Sequence, residues 1–323
     1  MKLQHPLFAF AISAAIAGPG AALAQSWPVK PVKIIVPLST GTATDSFARK
    51  LAAQLADHWG QSVVVENVPG AGGNVGAAVA AKAAPDGYTL IMLAVNHSIN
   101  PSLYKDTSYD LVRDFKPIVR LAVTPLAIVA NPLFPPNNIG ELIALAKAKP
   151  NSIVYGSGGN GSSTHLAIEM LKSRTGIQMT HVPYKSIAPM LTDILGNHIS
   201  LGAPAAASVV SQVKSGKLKV LAVATAKRSS AFPDVPTVAE SGVPGFDVAT
   251  WLGLAAPAGT SDAVIEKVYA DAAKIAGSKE FREEMREQGT EVDLLGPAAF
   301  GRLWADHLAM WAKLVKESGA KLD

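Results

Sequence analysis

The chain has 323 residues, no cysteine and a formal net charge of +4. Hydrophobic residues make up 49% of it, which is enough for a large core without disulfides, and a chain of this length is expected to form two domains. Its basic residues are scattered and only 6% of its residues are aromatic, so the sequence excludes the basic surface typical of a nucleic-acid-binding protein.

The first 24 residues are typical of a secretory signal peptide. Lys2 is the only charged residue among them, an apolar run covers residues 7–17, and Ala22-Leu23-Ala24 forms an A-x-A cleavage site. The alternative, a membrane anchor, needs about 20 apolar residues, and this run is shorter and is followed by Gly18-Pro19-Gly20. We therefore expect export, with cleavage near Ala24.

The first half of the mature chain alternates predicted strands and helices. In chain order these are a strand at 32–38, a helix with its apolar stripe at positions 47, 51 and 55, a strand at 63–66, an Ala-rich helix ending at 84 and a strand at 88–93. Thr44 is the expected N-cap of the first helix, and Asp45 lies in its first turn.

A second run of the same kind follows. It consists of a strand at 126–130, a helix at 139–148, a strand from 153 that enters a glycine-rich loop, a helix at 188–195 and a strand at 218–224. Residues 228–246 predict a long loop, and the chain is predicted to be helical from Thr260 to its end. Alternating strands and helices indicate βαβ units, so the expected fold class is α/β with mostly parallel sheets flanked by helices.

Two loops of small polar residues each connect a strand to a helix. They are Ser39-Thr40-Gly41-Thr42 and Ser157-Gly158-Gly159-Asn160-Gly161-Ser162-Ser163. At such positions unpaired backbone N–H groups and the positive end of the helix dipole point outward, and hydroxyls add donors. The loops are predicted to hold two negative groups of one ligand. The alternative is that the glycines only permit tight turns and the hydroxyls only cap helices.

The loops lack the motifs of nucleotide sites, hydrolases and metal centres. Gly156, Gly158 and Gly161 have dinucleotide-site spacing, but no acidic residue ends a following strand, and no G-K-[ST] ending is present. Ser157 and Ser162 each lack the glycine two positions earlier that a nucleophile elbow needs. The histidines form no metal-binding motif. A carboxylate is thus a better candidate than a phosphate, and no cofactor or metal is expected.

Five other residues each have alternative predicted roles, one in ligand binding or the cleft and one in local structure. His165 either faces a ligand or packs on its helix, and Asp45 either binds a ligand amine or water or complements its own helix dipole. Tyr184 and Lys185 either lend a hydroxyl and a cation to a carboxylate or are a packed tyrosine and a solvated lysine. Trp251 is either hinge packing or a wall of a cleft.

Nine short motifs occur in one order along almost the whole mature chain. They lie at 27–31, 41–49, 66–73, 85–89 (Pro-Asp-Gly-Tyr-Thr), 100–104, 157–165, 181–185 (His-Val-Pro-Tyr-Lys), 228–237 and 256–260. In this order the motifs resemble those of the periplasmic solute receptors of tripartite tricarboxylate transporters, often called Bug receptors.

The resemblance implies a two-domain periplasmic binding protein of the type II, Venus-flytrap kind. A signal peptide at 1–24 would precede one domain formed by 25–124 and 248–323 and another formed by 125–247. The protein would be a periplasmic monomer that captures a small carboxylate and delivers it to the membrane permease subunits of the transporter. It would have no enzymatic activity, cofactor or nucleic-acid partner.

The resemblance also implies the ligand-binding residues, position by position. These are Thr40, Gly41, Thr42, Asp45, Ser157, Gly158, Asn160, Gly161, Ser162, Ser163, His165, Tyr184 and Lys185. The segment 201–207 is small and apolar, which favours a dicarboxylate or an aromatic carboxylate over citrate. Two other functions remain open: a sensory receptor that signals to a histidine kinase, and a periplasmic hydrolase with Ser157 or Ser162 as nucleophile.

Overall fold

The computed structural model describes residues 27–321, so the predicted signal peptide lies outside the described residues. The strands are β1 Val32–Val36, β2 Val63–Asn67, β3 Thr89–Ala94, β4 Phe115–Pro125, β5 Ala127–Ala130, β6 Val154–Ser157, β7 Thr180–Pro183, β8 Leu201–Gly202, β9 Lys219–Val223, β10 Ala249–Pro257 and β11 Glu291–Leu295. The α-helices are α1 Ala43–Trp59, α2 Asn74–Ala81, α3 Asn96–Leu103, α4 Ile139–Ala148, α5 Ser163–Thr175, α6 Ile187–Leu195, α7 Val210–Lys214, α8 Asp262–Ala276, α9 Lys279–Glu287 and α10 Pro297–Ser318.

The strands form two sheets. Sheet 1 has six strands in the order β11-β4-β10-β3-β1-β2, and sheet 2 has five in the order β7-β6-β8-β5-β9. The chain leaves sheet 1 after β4, builds the whole of sheet 2, and returns to sheet 1 through β10. Residues 228–246 on this return path, all within the described range, contain no helix or strand, as predicted.

Both sheets are mixed, which corrects the prediction of mostly parallel sheets. Parallel pairing joins β1 to β2, β1 to β3, β6 to β7 and β6 to β8. The other five pairings, which involve β4, β5, β10 and β11, are antiparallel. The βαβ units are therefore real, but the strands at the two crossings between the sheets run against their neighbours.

The first helix is capped by Thr42 and not by Thr44 as predicted. The hydroxyl of Thr42 accepts the N–H of Asp45 (3.3 Å), while the Asp45 carboxylate accepts the N–H of Gly41 (2.9 Å). This reciprocal pair resembles a capping box and starts α1 two residues earlier than expected. The predicted apolar stripe at Phe47, Leu51 and Leu55 is buried as expected.

The prediction of a continuous helical C-terminal region is wrong. The strand β11 separates α9 from α10 and pairs with β4 at the edge of sheet 1. Its residues are mostly half-buried, so they lack the continuous apolar run of a central strand. Gly289, with φ of +76°, turns the chain from α9 into this strand.

Helix α10 connects the two halves of the core. It packs against α3 and β4 on one side and against α5 on the other. Its residues Trp304 and Trp311 are buried in a hydrophobic cluster that also contains Leu166 and Met170 of α5. Between residues 27 and 321, this and every other helix is too short or too polar to span a membrane.

Candidate functional site

A cavity of about 530 Å³ lies between the two sheets. The parallel strands β1, β3 and β6 end beside it, and the N-termini of α1 and α5 face it. Ligands of open α/β sheets bind beyond the carboxyl ends of the strands, so this is the position expected for a binding site. We call this cavity the cleft.

The loop between β6 and α5 forms one wall of the cleft. Residues 158–163 all line it, which includes the predicted residues Gly158, Asn160, Gly161, Ser162 and Ser163. Four backbone N–H groups of this loop are used inside it. The donors are Gly158, Gly159, Gly161 and Ser162, and the acceptors are, in that order, Thr164 Oγ1, Ser157 Oγ, His165 Nδ1 and the carbonyl of Gly159.

Two cleft-lining residues, Asn160 and Ser163, have N–H groups with no acceptor anywhere in the described part of the chain, and so does the buried Thr164 that follows them. Ser163 and Thr164 open α5, whose N-cap is Ser162 and whose first turn has no acidic residue. An anion at this wall would meet free donors and the positive end of a 13-residue helix.

The first predicted loop is placed differently. Thr40, Gly41 and Thr42 do not line the cleft, and the N–H groups of Gly41 and Thr42 are bonded within their own turn. Ala43 and Thr44, the first residues of α1, line the cleft in their place. The α1 end of the cleft is therefore formed by the start of the helix itself.

Asp45 lies behind this wall and is 2% exposed. Its carboxylate accepts hydrogen bonds from Gly41 N–H (2.9 Å), Asn67 Nδ2 (2.9 Å) and Arg49 Nε (3.1 Å). Burial alone would raise the pKa of Asp45, but these hydrogen bonds outweigh burial and the pKa is lowered. Asp45 is thus ionised and fully used in holding the turn that precedes α1.

His165 lies beneath the glycine-rich loop and does not line the cleft. Its ring stacks on His181, with centroids 3.9 Å apart, and its Nδ1 accepts the N–H of Gly161. Burial lowers the pKa of His165 to about 3 and that of His181 to about 4. Both rings are neutral at neutral pH, and they support the loop.

His181 contacts the glycine-rich loop, although it was not among the thirteen predicted residues. Its Nε2 lies 2.7 Å from the hydroxyl of Ser157, the pairing that a hydrolase would need. Ser157 is fully buried, however, and its hydroxyl also contacts the N–H and the carbonyl of Gly159. The strand register pairs His181 with Tyr155 and Ser157 with Pro183, so the contact between Ser157 and His181 is a diagonal one.

Tyr184 and Lys185 do not line the cleft. The hydroxyl of Tyr184 donates to Asp193 Oδ2 (2.5 Å) on α6, and Lys185 is exposed. The structure therefore brings five of the thirteen predicted residues to the cleft wall and places the rest behind or beside it.

The remaining walls of the cleft are largely apolar. Besides Ala43, Thr44, Gly159 and Trp251, the lining residues outside the thirteen predicted ones are Leu38, Gly72, Ala94, Val95, Asn96, Ile99, Asn100, Leu103, Tyr104, Thr124, Ala205, Thr250 and Leu252. Trp251 also lines the cleft, which supports its reading as a wall, and its Nε1 donates to His307 Nδ1 (3.1 Å). The described lining contains no charged side chain.

The site can hold an anion through neutral donors but offers little for catalysis or metal binding. The cleft combines unpaired amides, hydroxyls and a wide apolar wall. Residues 27–321 contain no group of three His, Asp or Glu side chains that could hold a metal ion. This arrangement fits reversible capture of an amphiphilic anion.

The sequence is similar to known receptor proteins. Residues 47–320 match the family described as "Tripartite tricarboxylate transporter family receptor". The chain is 36% identical over 319 residues to protein BugT of Bordetella pertussis, which covers 97% of this chain and 96% of BugT.

The fold is similar to that of solved structures. The structure of R. palustris Rpa4515 with adipate has a TM-score of 0.75 at 35% identity, over 92% of this chain and 100% of that one. The periplasmic binding protein BugD has a TM-score of 0.71 at 36% identity, also over 92% of this chain and 100% of that one. These neighbours confirm the predicted two-domain α/β fold of a periplasmic binding protein.

Proposed function

This chain belongs to the tripartite tricarboxylate transporter receptor family, and we propose that it captures a small carboxylate in the cleft and delivers it to the membrane permease of such a transporter. The family consists of solute-binding receptors and not of enzymes. Its members include a protein whose structure holds adipate.

The observation that carries the proposal is the set of unpaired N–H groups at the start of α5, in a cleft whose described lining has no charged side chain. A helix N-terminus stabilises an anion by about 0.3–1 kcal/mol, and by up to about 2 when partly buried. Each hydrogen bond to a charged group adds about 1.5–3 kcal/mol. Four or five such interactions are enough for micromolar affinity, about −8 kcal/mol, after ordering costs.

The donors that we assign to the ligand carboxylate are the N–H groups of Asn160, Ser163 and Thr164 and the hydroxyl of Ser163. The other predicted residues then have supporting roles. His165 and Ser157 fix the shape of the loop, and Asp45 fixes the turn before α1. Using amides avoids the desolvation of a buried lysine or arginine.

We further propose that the cleft closes by movement of two domains, with 25–124 and 248–323 in one and 125–247 in the other. The strands of sheet 1 and sheet 2 divide along the chain in this way. A ligand that contacts both walls would shift the population toward the closed form.

The proposed ligand is a dicarboxylate or an aromatic carboxylate. Of the small residues at 201–207, only Ala205 lines the cleft, but Trp251, Leu252 and Leu103 supply a larger apolar wall. A compact triacid would leave this wall without a partner. We also propose that the protein acts as a monomer in the periplasm after removal of residues 1–24.

Substitution of Ser163 by proline tests the site most sharply. Ser163 is the first residue of α5, where proline is well tolerated, and its N–H has no acceptor to lose. We expect Ser163→Pro to weaken carboxylate binding at least tenfold, because it removes one N–H donor and one hydroxyl donor. Binding is measured by calorimetry on refolded protein free of co-purified ligand.

The matched control is Lys279→Pro. Lys279 is the exposed first residue of α9, whose N-cap serine has the same extended conformation as that of α5. This control should bind carboxylates like the wild type. Unchanged affinity in the Ser163→Pro variant, with a normal circular dichroism spectrum, would place the ligand elsewhere.

A further inference from the structure

The two helices that begin at the cleft are not equivalent in charge. The first turn of α5 has no acidic residue, so its positive end faces the cleft uncompensated. The first turn of α1 contains Asp45, which is buried and directly follows the cleft-lining Thr44. The carboxylate of Asp45 already complements the positive end of α1.

The carboxylate of Asp45 is fixed in this position by its contacts. It is held by Gly41, Asn67 and Arg49, and Arg49 is its only ionic partner in the described chain. The pair of Asp45 and Arg49 leaves the α1 end close to neutral. A second ligand carboxylate placed at Thr44 would lie within one helical turn of the buried Asp45, at a helix end whose positive charge is already balanced, and would gain little there.

Thr44 itself offers a neutral hydrogen-bonding group. It is 5% exposed, it lines the cleft, and its hydroxyl has no hydrogen-bond partner among residues 27–321. The N–H groups of Ala43 and Thr44 also lack acceptors within that range. A hydroxyl both donates and accepts, so this end suits a carbonyl, a hydroxyl or an amide.

The wall near the two helix ends is apolar. It is lined by Leu38, Ile99, Leu103 and Trp251. The part of the lining that the structure describes includes no lysine or arginine that would favour a second negative charge on the ligand. Trp251 borders this wall at 1% exposure and is held in place by its hydrogen bond to His307.

We propose that the ligand carries one carboxylate, bound at the start of α5, an apolar aromatic body along Trp251, and a neutral hydrogen-bonding group at Thr44. Of the two ligand classes in the proposed function, this inference selects the aromatic monocarboxylate. It rests on the proposed function, because it assigns the carboxylate to the same cleft.

Matched ligand pairs test the inference on the wild-type protein. Terephthalate and 4-carbamoylbenzoate have nearly the same shape, and so do adipate and its monoamide, but the second member of each pair has one carboxylate in place of two. We expect each monoamide to bind at least tenfold more tightly than its diacid in calorimetric titrations at constant ionic strength, because the balanced α1 end does not compensate for the desolvation of a second carboxylate.

The variant Thr44→Val tests the neutral end, because valine keeps the shape of threonine without its hydroxyl. It should weaken binding of 4-carbamoylbenzoate five- to tenfold. Benzoate, which has no group at that end, serves as the control and should bind the variant and the wild type equally.

The outcomes separate this inference from the proposed function. Equal or tighter binding of the diacids would overturn the inference and leave the proposed function intact, as would equal binding of 4-carbamoylbenzoate by wild type and variant. Failure of every carboxylate to bind folded protein would overturn both.

Discussion

At the scale of single residues, the donors available to a ligand in the cleft are those that make no hydrogen bond within the protein. The glycine-rich loop has many donors, but four of its N–H groups are bonded internally; those of Asn160 and Ser163 remain, as does that of Thr164 just after the loop. The same distinction applies at α1, where the N–H of Gly41 is bonded to Asp45 and the N–H of Thr44 has no acceptor among the described residues. In the proposed function, ligand recognition depends on the donors that remain free and not on the total number.

The residues beneath the loop make stability sensitive to pH. Burial lowers the pKa of His165 and His181 from 6.5 to about 3 and about 4, with Lys172 and Glu169 as the nearest charged groups. The unfolded chain therefore binds more protons than the folded chain below about pH 6.5. The stabilisation is complete above that pH and is lost as the pH falls toward 4.

We accordingly expect the urea midpoint of unfolding to fall between pH 7 and pH 5. His181→Gln should reduce this loss, because one depressed histidine is removed. His198→Gln changes an exposed histidine and should leave the loss as in the wild type. Identical midpoints at the two pH values would show that the buried histidines are not neutral in the folded state.

Sequence patterns predicted one of the two loops that line the cleft, but not the individual contacts. The strand-to-helix position of 157–163 and its glycines predicted a loop at the site, and residues 158–163 do line the cleft. Thr40 and Thr44 are chemically alike and four residues apart, but only Thr44 lines the cleft. Such choices depend on packing that a linear pattern does not contain.

At the scale of elements, those specified by local sequence signals were predicted well, and the edge strand β11 was not. The helix predicted at 139–148 has those bounds, because its periodic apolar residues and its Asn138 cap act locally. The strand β11 depends on pairing with β4, more than 160 residues earlier, and it is only half-buried. The helix α3 was not predicted, and it contains Pro101, which interrupts the usual helical pattern.

Gly161 shows how tightly the two walls approach each other. Its φ is +71°, and a Cβ at this position would lie 2.4 Å from Cδ1 of Leu103 on the opposite wall. We expect Gly161→Ala to lower carboxylate affinity at least tenfold, because the methyl group displaces Leu103 and strains the loop. Calorimetry of the variant measures this effect.

Gly60 provides the control for strain alone. It has a similar φ of +63°, but a Cβ there would meet no atom within 4 Å. Gly60→Ala should lower stability by about 1 kcal/mol without changing affinity. The double variant Gly161→Ala with Leu103→Ala should recover part of the lost affinity; complete additivity of the two changes would contradict the contact.

At the scale of the whole molecule, sheet 1 and sheet 2 are joined by more than the crossing strands. Helix α10 packs on elements from both halves. On another side, the carboxylate of Glu291 in β11 accepts hydrogen bonds from Ser229 Oγ (3.0 Å), Ser230 N–H (2.8 Å) and Ser230 Oγ (2.9 Å). These serines belong to the long loop that returns from sheet 2.

Glu291→Gln should lower the free energy of unfolding by about 1–2 kcal/mol, because three hydrogen bonds lose their charged acceptor. The control Glu283→Gln breaks an exposed pair with Arg286 within one helix and should change stability by less than about 0.5 kcal/mol. Urea denaturation measures both. Equal effects would mean that the contact of Glu291 with the loop does not stabilise the arrangement of the two halves.

The central claim is that neutral donors in the cleft capture a carboxylate. The most direct measurement is calorimetric titration of the refolded mature chain with benzoate, 4-carbamoylbenzoate, terephthalate, adipate and citrate, alongside benzamide and adipamide as uncharged analogues. We predict saturable binding of one carboxylate class with a Kd in the micromolar range, about −8 kcal/mol, and no binding of the uncharged amides. Absence of binding by every carboxylate, or equal binding by the uncharged analogues, would contradict the claim.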